Sequence, residues 1–336
     1  MYPAPIPAKT RDVSVVITSY LAHRLQWVKH SLNFLYRHGY EGETLVGVWG
    51  GHDKIDDLIS FCMSLSLRIR VIHQDGAQRF TQRVLALAER TTGQYIAQTG
   101  DDDFLLPEAL GSLVKLLAQD PSVFCAQGRT ISIGRDFTDT AFRVFMFPVW
   151  PAPEADLLTR YARYCAHTGQ MFHAMFRRAD YIERYRWMEE AMAETKNHIW
   201  FEFIGEFFPV IKGRFVIIEE IFILRGKHAN NTSRLLNKDS NEERFPFFLL
   251  SANFSPTYKF VEGQVLRLFA GQGADVANPA TREVILTGIV NCLGSALFNL
   301  RGPPPQEEVD LKAIFTQSPP HPLFVRIVQM VMETRV

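Results

Sequence analysis

Residues 12–132 alternate between short β-branched apolar runs and segments whose apolar residues recur at helical spacing. In the segment at 24–39, Leu25, Val28, Leu32 and Leu35 share one helical face, and Gly39 is a stop signal. Strand–helix–strand units are right-handed and place their helices on the faces of a sheet. This order therefore predicts an α/β fold with a mainly parallel sheet flanked by helices. The predicted strands are 12–20, 43–51, 68–74, 94–100 and 123–132.

The second half of the chain has a less regular pattern. Residues 181–213 predict one or two helices, and residues 214–228 predict a strand that runs into a loop. The polar segment 230–246 is the best candidate for a linker. Beyond it, the segments 261–273, 281–300 and 322–336 are helical in pattern, which predicts a helical C-terminal extension.

Three consecutive carboxylates, Asp101–Asp103, follow the fourth predicted strand directly. In a parallel sheet, ligands bind beyond the carboxyl ends of the strands. A hard divalent cation prefers such oxygen ligands, and its charge would relieve their mutual repulsion. The alternative is an acidic turn that caps the helix starting near Pro107. We favour a cation or nucleotide site, because three carboxylates exceed what a helix cap needs.

The third predicted strand also ends in polar residues, since Asp75 follows it and Arg79 and Arg83 come shortly after. The two arginines are four residues apart on one helical face. Guanidinium groups bind phosphate oxygens in pairs, so this pattern predicts a phosphate clamp. A solvated helical face is an equally good interpretation.

Composition excludes several classes of protein. The 336 residues carry 36 Lys+Arg and 36 Asp+Glu, so no global positive field attracts nucleic acid. The four cysteines are widely spaced, which favours a reducing, cytoplasmic location over a disulfide framework. Residues 1–11 are proline-rich and predict a mobile arm, and no apolar run is long enough for a transmembrane segment. Peripheral contact with a membrane would have to come from a surface patch or from a partner protein.

The segments VSVVITSY, TTGQYIAQTGDDDFLLPEAL and VFCAQGR together resemble the GT-A fold of family-2 nucleotide-sugar glycosyltransferases, in particular a bacterial subgroup with DDDF followed by QGR. The resemblance implies a Rossmann-like GT-A domain over residues 12–232. Residues 12–135 would bind the nucleotide sugar and residues 136–232 the acceptor. Residues 233–336 would form the helical extension, which offers a surface for a homo-oligomer. The acceptor, whether glycan, lipid-linked or protein, is not indicated.

The resemblance also implies roles for single residues in the donor half. Thr18, Ser19 and Tyr20 stand where the family's first loop contacts the nucleobase, and Arg24 stands for a nearby family arginine. Counting back from Pro107 assigns the metal-binding carboxylate to Asp102. Asp101 would lie near ribose or diphosphate, and Asp103 would bind metal, position the sugar or cap the helix. Trp49 occupies the turn after the second strand, where the family often has an acidic residue.

In the acceptor half, the resemblance implies a third metal ligand at His228 and a diphosphate contact from Arg225, with Mn²⁺ or Mg²⁺ as the cofactor. Glu202 and Glu206 lie among aromatic residues on one helical face, and burial would raise a carboxyl pKa toward that of a general base. We prefer Glu202. His173 is a weaker candidate for the acceptor site.

The function implied is therefore transfer of a sugar from a nucleotide-diphosphate sugar to an acceptor hydroxyl, with inversion. Two alternatives remain open. A nucleotidyltransferase would normally have a glycine-rich loop after its first strand, whereas ITSYLAHR has no glycine. A catalytically degenerate GT-A protein that binds sugars or acts as a scaffold is favoured slightly by the altered second strand and opposed by the intact Asp cluster.

Overall fold

A computed structural model describes residues 8–134, 143–147, 149–167, 171–191, 198–227 and 254–298. The strands are β1 (Val13–Tyr20), β2 (Glu43–Trp49), β3 (Arg68–His73), β4 (Tyr95–Gly100), β5 (Asp103–Leu105), β6 (Val123–Gly134), β7 (Arg143–Phe147), β8 (Met175–Arg177) and β9 (Arg214–Lys227). The helices are α1 (Leu21–Arg37), α2 (Ile55–Ser64), α3 (Phe80–Ala88), α4 (Pro107–Gln119), α5 (Leu157–His167), α6 (Arg178–Ala191), α7 (His198–Lys212), α8 (Phe254–Gly271) and α9 (Pro279–Phe298).

The nine strands among the described residues form one mixed sheet in the order β3-β2-β1-β4-β8-β6-β9-β5, and β7 pairs with β6 outside this order. The half formed by β1–β4 is parallel, as the alternation of strands and helices predicts. The short strands β5 and β8 pair antiparallel with distant parts of the chain, β5 with β9 and β8 with both β4 and β6. The α/β prediction is confirmed. The antiparallel strands β5 and β8 were not predicted, because their pairing partners lie far away in sequence.

Apolar side chains of the sheet pack against helices on both faces. In β1, Val13, Val15 and Ile17 pack with α1, α2 and α4, whereas Val16 points to the opposite core. That second core contains α3 and α5–α9. A strand buried on both faces explains why β1 is a continuous apolar run rather than an alternating one.

The two C-terminal helices that the structure describes belong to the second core. The Tyr161 ring of α5 lies edge-on to Phe269 of α8, and its hydroxyl donates to the carbonyl of Ile285 on α9, at 3.1 Å. Gly288 allows this contact, because a Cβ there would lie 2.3 Å from the Tyr161 ring. These helices therefore pack on the α/β domain, while the predicted boundary near residue 232 stays a prediction. Within the described helices, none is both long and apolar enough to cross a bilayer.

A buried carboxylate, Glu43, ties the parallel strands together. At the start of β2 it accepts hydrogen bonds from Ser14 of β1 at 2.9 Å and from the backbone N–H of Thr92 at 2.8 Å. Arg70 of β3 completes the cluster at 2.6 Å. Burial would raise the pKa of Glu43, but the Thr92 and Ser14 bonds and the Arg70 charge lower it overall.

We predict that Glu43→Gln lowers the free energy of unfolding by about 1–3 kcal/mol near pH 7, because Ser14, Thr92 and Arg70 lose a charged acceptor. Since the folded pKa is depressed, the wild-type advantage exists above the unfolded pKa and disappears as pH falls through the folded value. Urea unfolding of both proteins between pH 3 and 7 measures this. If the difference in the free energy of unfolding stayed constant across that range, Glu43 would not stabilise the fold as a charged carboxylate.

Candidate active site

The three aspartates lie together at the carboxyl end of β4, and all three are buried. Asp101 accepts a hydrogen bond from the Ser19 hydroxyl at 2.5 Å and two from Arg24, at 2.8 and 3.1 Å. The same Arg24 guanidinium lies 2.9 Å from Oδ2 of Asp102. The predicted residues Ser19, Arg24, Asp101, Asp102 and Asp103 therefore meet at one edge of the sheet, because β1 and β4 are parallel neighbours.

Burial disfavours the charged form of both Asp101 and Arg24. It raises the pKa of Asp101 to about 6, against the lowering effect of Arg24. Burial alone would lower the pKa of Arg24, but Asp101 and Asp102 raise it overall. The guanidinium is therefore a permanent positive charge that holds two of the three carboxylates in place.

Gly100 leaves a small space beside the carboxylates of Asp102 and Asp103. A Cβ at this position would lie 3.0 Å from Oδ1 of Asp102 and 3.0 Å from Oδ2 of Asp103. Both oxygens therefore lie beside this glycine, and a side chain here would have to displace them by a few tenths of an ångström. Asp103 Oδ2 also lies 3.3 Å from Nε2 of the buried His173.

This donor set has the chemistry that a hard divalent cation requires. Oδ1 of Asp102 and Oδ2 of Asp103 both lie beside Gly100, which has no side chain. Within the described ranges, no three His, Cys, Asp or Glu side chains form a ready-made metal cluster. These two carboxylates would fit a divalent cation as oxygen ligands, and a complete site would need further ligands.

A cleft of about 570 Å³ lies at the carboxyl ends of β1, β2 and β3. It is lined by the predicted residues Tyr20, Trp49 and Asp75 and by others that include His52 and His73. The rings of Tyr20 and Trp49 lie 6.1 Å apart, centre to centre. Tyr20 is adjacent in sequence to Ser19, so the cleft and the Asp cluster share the end of β1. Thr18, one residue earlier, is paired between Gly47 of β2 and Gly100 of β4.

The turn after β2, in which the sequence departs from the family pattern, is built on two glycines. Gly50 and Gly51 have φ of 63° and 61°, a left-handed conformation that other residues adopt at a cost. A Cβ on Gly50 would lie 2.4 Å from the Tyr20 ring. The glycines therefore let Tyr20 approach the turn and keep Trp49 at the cleft.

The two predicted phosphate-binding arginines have different surroundings. The Arg83 guanidinium lies over the Trp49 ring, 4.0 Å from its centre, and donates to the carbonyl of Gly76 at 3.3 Å. Burial lowers the pKa of Arg83, while Asp75 acts in the opposite direction. Arg79 forms an ion pair with Glu189 of α6 at 2.5 Å. Arg83 thus lies beside the cleft, whereas the ion pair of Arg79 with Glu189 links the start of α3 to α6.

The predicted residues of the acceptor half are only partly described. Arg225 of β9 is the register partner of Asp103 in β5, which brings β9 to the Asp cluster. His228 lies outside the described residues. Glu202 belongs to α7, on the part of that helix whose side chains the structure does not describe.

Glu206 lies in the interior of the second core. Its carboxylate accepts hydrogen bonds from the Tyr164 hydroxyl and, at 2.9 Å, from the backbone N–H of Met171. These contacts join α7 to α5 and to the segment before β8. Its proposed role as a base stays a prediction, and its described contacts are those of a residue that stabilises packing.

The sequence analysis did not single out the residues that lie behind His173. The Nδ1 atom of His173 lies 3.4 Å from the backbone carbonyl of Gln98 in β4. The Gln98 side chain in turn accepts hydrogen bonds from Tyr181 and Tyr185 of α6. A glutamine in the middle of a buried strand was the available signal, since a buried polar side chain normally has partners.

The sequence over residues 14–185, just over half of the chain, matches the model of glycosyl transferase family 2. The chain belongs to this family. No curated protein matches it in sequence. In fold, this glycosyltransferase is similar to S. aureus TarS 1–349 in complex with UDP-GlcNAc, with a TM-score of 0.55 and 12% identity over 84% of this chain and 72% of that one.

A second solved structure that matches is the mannosyltransferase PcManGT from Pyrobaculum calidifontis in complex with GDP-Man and Mn²⁺. It has a TM-score of 0.41 and 14% identity over 88% of this chain and 90% of that one. The family match and the likeness to TarS confirm the GT-A fold expected of this glycosyltransferase.

We predict that Arg24→Met lowers the free energy of unfolding by about 3–5 kcal/mol, because two buried carboxylates lose their counter-charge. The matched control is Arg11→Met, which breaks an exposed pair with Glu41 at 2.7 Å. That change should cost at most about 1 kcal/mol. Unfolding in guanidinium chloride measures the loss of stability in both variants. Equal small losses would show that Arg24 does not hold the aspartates.

Proposed function

We propose that this family-2 glycosyltransferase transfers a sugar from a nucleoside-diphosphate sugar to an acceptor hydroxyl, with a divalent cation at the diphosphate and inversion at the anomeric carbon. The observation that carries the proposal is that the cleft and the Asp cluster adjoin at the end of β1. Tyr20 lines an aromatic cleft, and its neighbour Ser19 binds the Asp cluster. A nucleotide in the cleft would reach the aspartates with its diphosphate.

The nucleoside would lie against Tyr20 and Trp49, whose rings offer surfaces for stacking. Thr18 and Asp75 would contribute polar contacts at this end. Arg24 would keep Asp101 oriented toward ribose or diphosphate, because its guanidinium already binds Asp101 through two nitrogens. UDP and GDP, the nucleotides of the donors bound by TarS and PcManGT, are the first to test here.

Asp102 and Asp103 would hold Mn²⁺ or Mg²⁺, with His228 as a further ligand. When bound, the cation stabilises the negative charge on the leaving diphosphate. Arg225, opposite Asp103 in the sheet, would add a positive charge near the same phosphates. Arg79, already paired with Glu189, would contribute less.

The acceptor hydroxyl needs a general base for in-line attack, and Glu202 is our candidate. It lies on α7, four residues before Glu206, whose carboxylate is occupied by Tyr164 and Met171. A glycan, a lipid-linked molecule and a protein can each supply an acceptor hydroxyl. With four buried, unpaired cysteines, we expect the enzyme to act in the reducing cytoplasm.

The test measures release of nucleoside diphosphate from a panel of nucleotide sugars with Mn²⁺, with Mg²⁺ and with a chelator. We expect turnover of at least one donor only with metal, and a loss on the order of 100-fold in Asp102→Asn. Asp57→Asn, at an exposed carboxylate of α2, is the control and should change turnover less than about twofold. The absence of metal-dependent turnover and of metal-dependent binding for every donor would refute the proposal.

We predict that Arg83→Gln weakens nucleoside and nucleoside-diphosphate binding by a similar factor of about 5, because Arg83 supports the Trp49 ring. Calorimetric titration with uridine, UDP, guanosine and GDP measures this. A loss confined to the diphosphates would instead identify Arg83 as a phosphate ligand, as the sequence pattern alone suggests.

A further inference from the structure

Arg184 is a buried arginine that the proposed function has not used. It belongs to α6, and only 3% of its surface is exposed. Its guanidinium lies over the rings of Phe176 and Tyr185, 5.1 and 5.5 Å from their centres. In the part of the chain that the structure describes, its Nη1 atom has no hydrogen-bond partner. Burying a guanidinium with incomplete pairing costs free energy, which the contacts that it does make must offset.

The hydrogen bond of this guanidinium goes to a carbonyl that lacks its helical donor. The Nε atom of Arg184 donates to the backbone carbonyl of Gly205 in α7, at 3.1 Å. In a regular helix this carbonyl accepts from the backbone N–H four residues later, but that residue is Pro209, which has no N–H. Arg184 therefore supplies the donor that the proline removes.

The helices α6 and α7 approach each other closely at this point. Gly205 is buried and has no side chain, and a Cβ there would collide with Cε of Met188, which is one turn after Arg184 on α6. Near the end of α7, Lys212 pairs with Glu183 of α6 at 2.8 Å. The bond from Arg184 thus anchors α7 in the middle of the helix, well before this second contact.

The first half of α7 lies toward the ligand edge of the sheet. Strands β4 and β6 are both antiparallel to β8, so β6 and its parallel neighbour β9 run in the same direction as β4. One residue joins Lys212 at the end of α7 to Arg214 at the start of β9, so the helix packs back along the sheet. Glu202, ten residues before Lys212, therefore lies about 15 Å nearer the ligand edge than the end of the helix.

We propose that Arg184 is a positioning residue for the transfer reaction. By binding the carbonyl of Gly205, it fixes the first half of α7, which carries Glu202, our candidate base. This inference rests on the proposed function and adds a residue that touches neither the nucleotide nor the acceptor. The aromatic cleft is built on β1, β2 and β3, away from this contact. Loss of Arg184 should therefore slow the reaction without weakening donor binding.

The first measurement is kcat and KM of the full chain with Mn²⁺ and the nucleotide sugar of the panel that the wild type turns over fastest. We expect Arg184→Met to lower kcat at least about 10-fold, because a small displacement of the base costs rate. The KM for the donor should change less than about twofold. Arg184→Lys, which keeps a charged donor on the same helix, should recover part of the lost rate.

Pro209→Ala tests the role of the carbonyl. Alanine at this position has an N–H that can donate to the carbonyl of Gly205 within the helix. Arg184→Met should therefore cost at least about 10-fold in kcat with Pro209 and less than about threefold with alanine at that position. A variant that folds only when combined with Pro209→Ala would show the same rescue. Arg186→Met breaks an exposed pair with Glu89 at 2.7 Å on the same helix and should leave kcat unchanged.

Hydrogen exchange of the metal-free chain, read by mass spectrometry, follows α7 without any reaction. We expect Arg184→Met to speed exchange in residues 198–205 at least about 10-fold more than in residues 210–212, because the anchor is lost only above Pro209. Adding Pro209→Ala should reverse this difference.

Equal losses of kcat with and without Pro209→Ala would overturn this inference and leave the proposed function intact, since they indicate a role in packing alone. Failure of Arg184→Met to fold in either background would do the same. A wild type that neither binds nor turns over any donor would refute the proposed function and with it the catalytic role of Arg184. Hydrogen exchange would then still show whether Arg184 fixes α7, so the two failures are distinguishable.

Discussion

The ion pair between Arg24 and the aspartates is the interaction on which the site depends. Buried carboxylates this close together repel each other, and each costs several kcal/mol to bury without a counter-charge. Arg24 reaches Asp101 and Asp102 from the first turn of α1, and Ser19 adds a hydroxyl from β1. The cluster can therefore form before any ligand binds, at an edge fixed by the pairing of β1 with β4.

The same pairing brings the aromatic cleft close to the carboxylates. β1 lies between β2 and β4, so its last residues contact both neighbours. Trp49 ends β2 and Gly100 ends β4, and the end of β1 lies between them. Three glycines, at positions 50, 51 and 100, remove side chains where the backbone must turn or where the carboxylates converge. The arrangement of the site thus follows from the strand order and from glycines at these three positions.

Much of this arrangement is predictable from the sequence, because it depends on local patterns. The strand and helix order of residues 12–132 follows from hydrophobic spacing, and the order places Asp101–Asp103 at the ligand edge. The pairing of β5 with β9, and the insertion of β8 between β4 and β6, depend on contacts between distant residues. No local pattern reveals them, and they bring Arg225 and His173 to the cluster. For the same reason, spacing alone could not separate Glu206, held by Tyr164, from a solvent-accessible base.

We propose that Asp102 links divalent-cation binding to nucleotide binding in this enzyme. Calorimetric titration of UDP and GDP, each with and without Mn²⁺, into the wild type and Asp102→Ala measures that link directly. We predict that Mn²⁺ strengthens binding of one nucleotide at least about 10-fold in the wild type, and not in the variant. Strengthening by Mn²⁺ that persists undiminished in Asp102→Ala would contradict it.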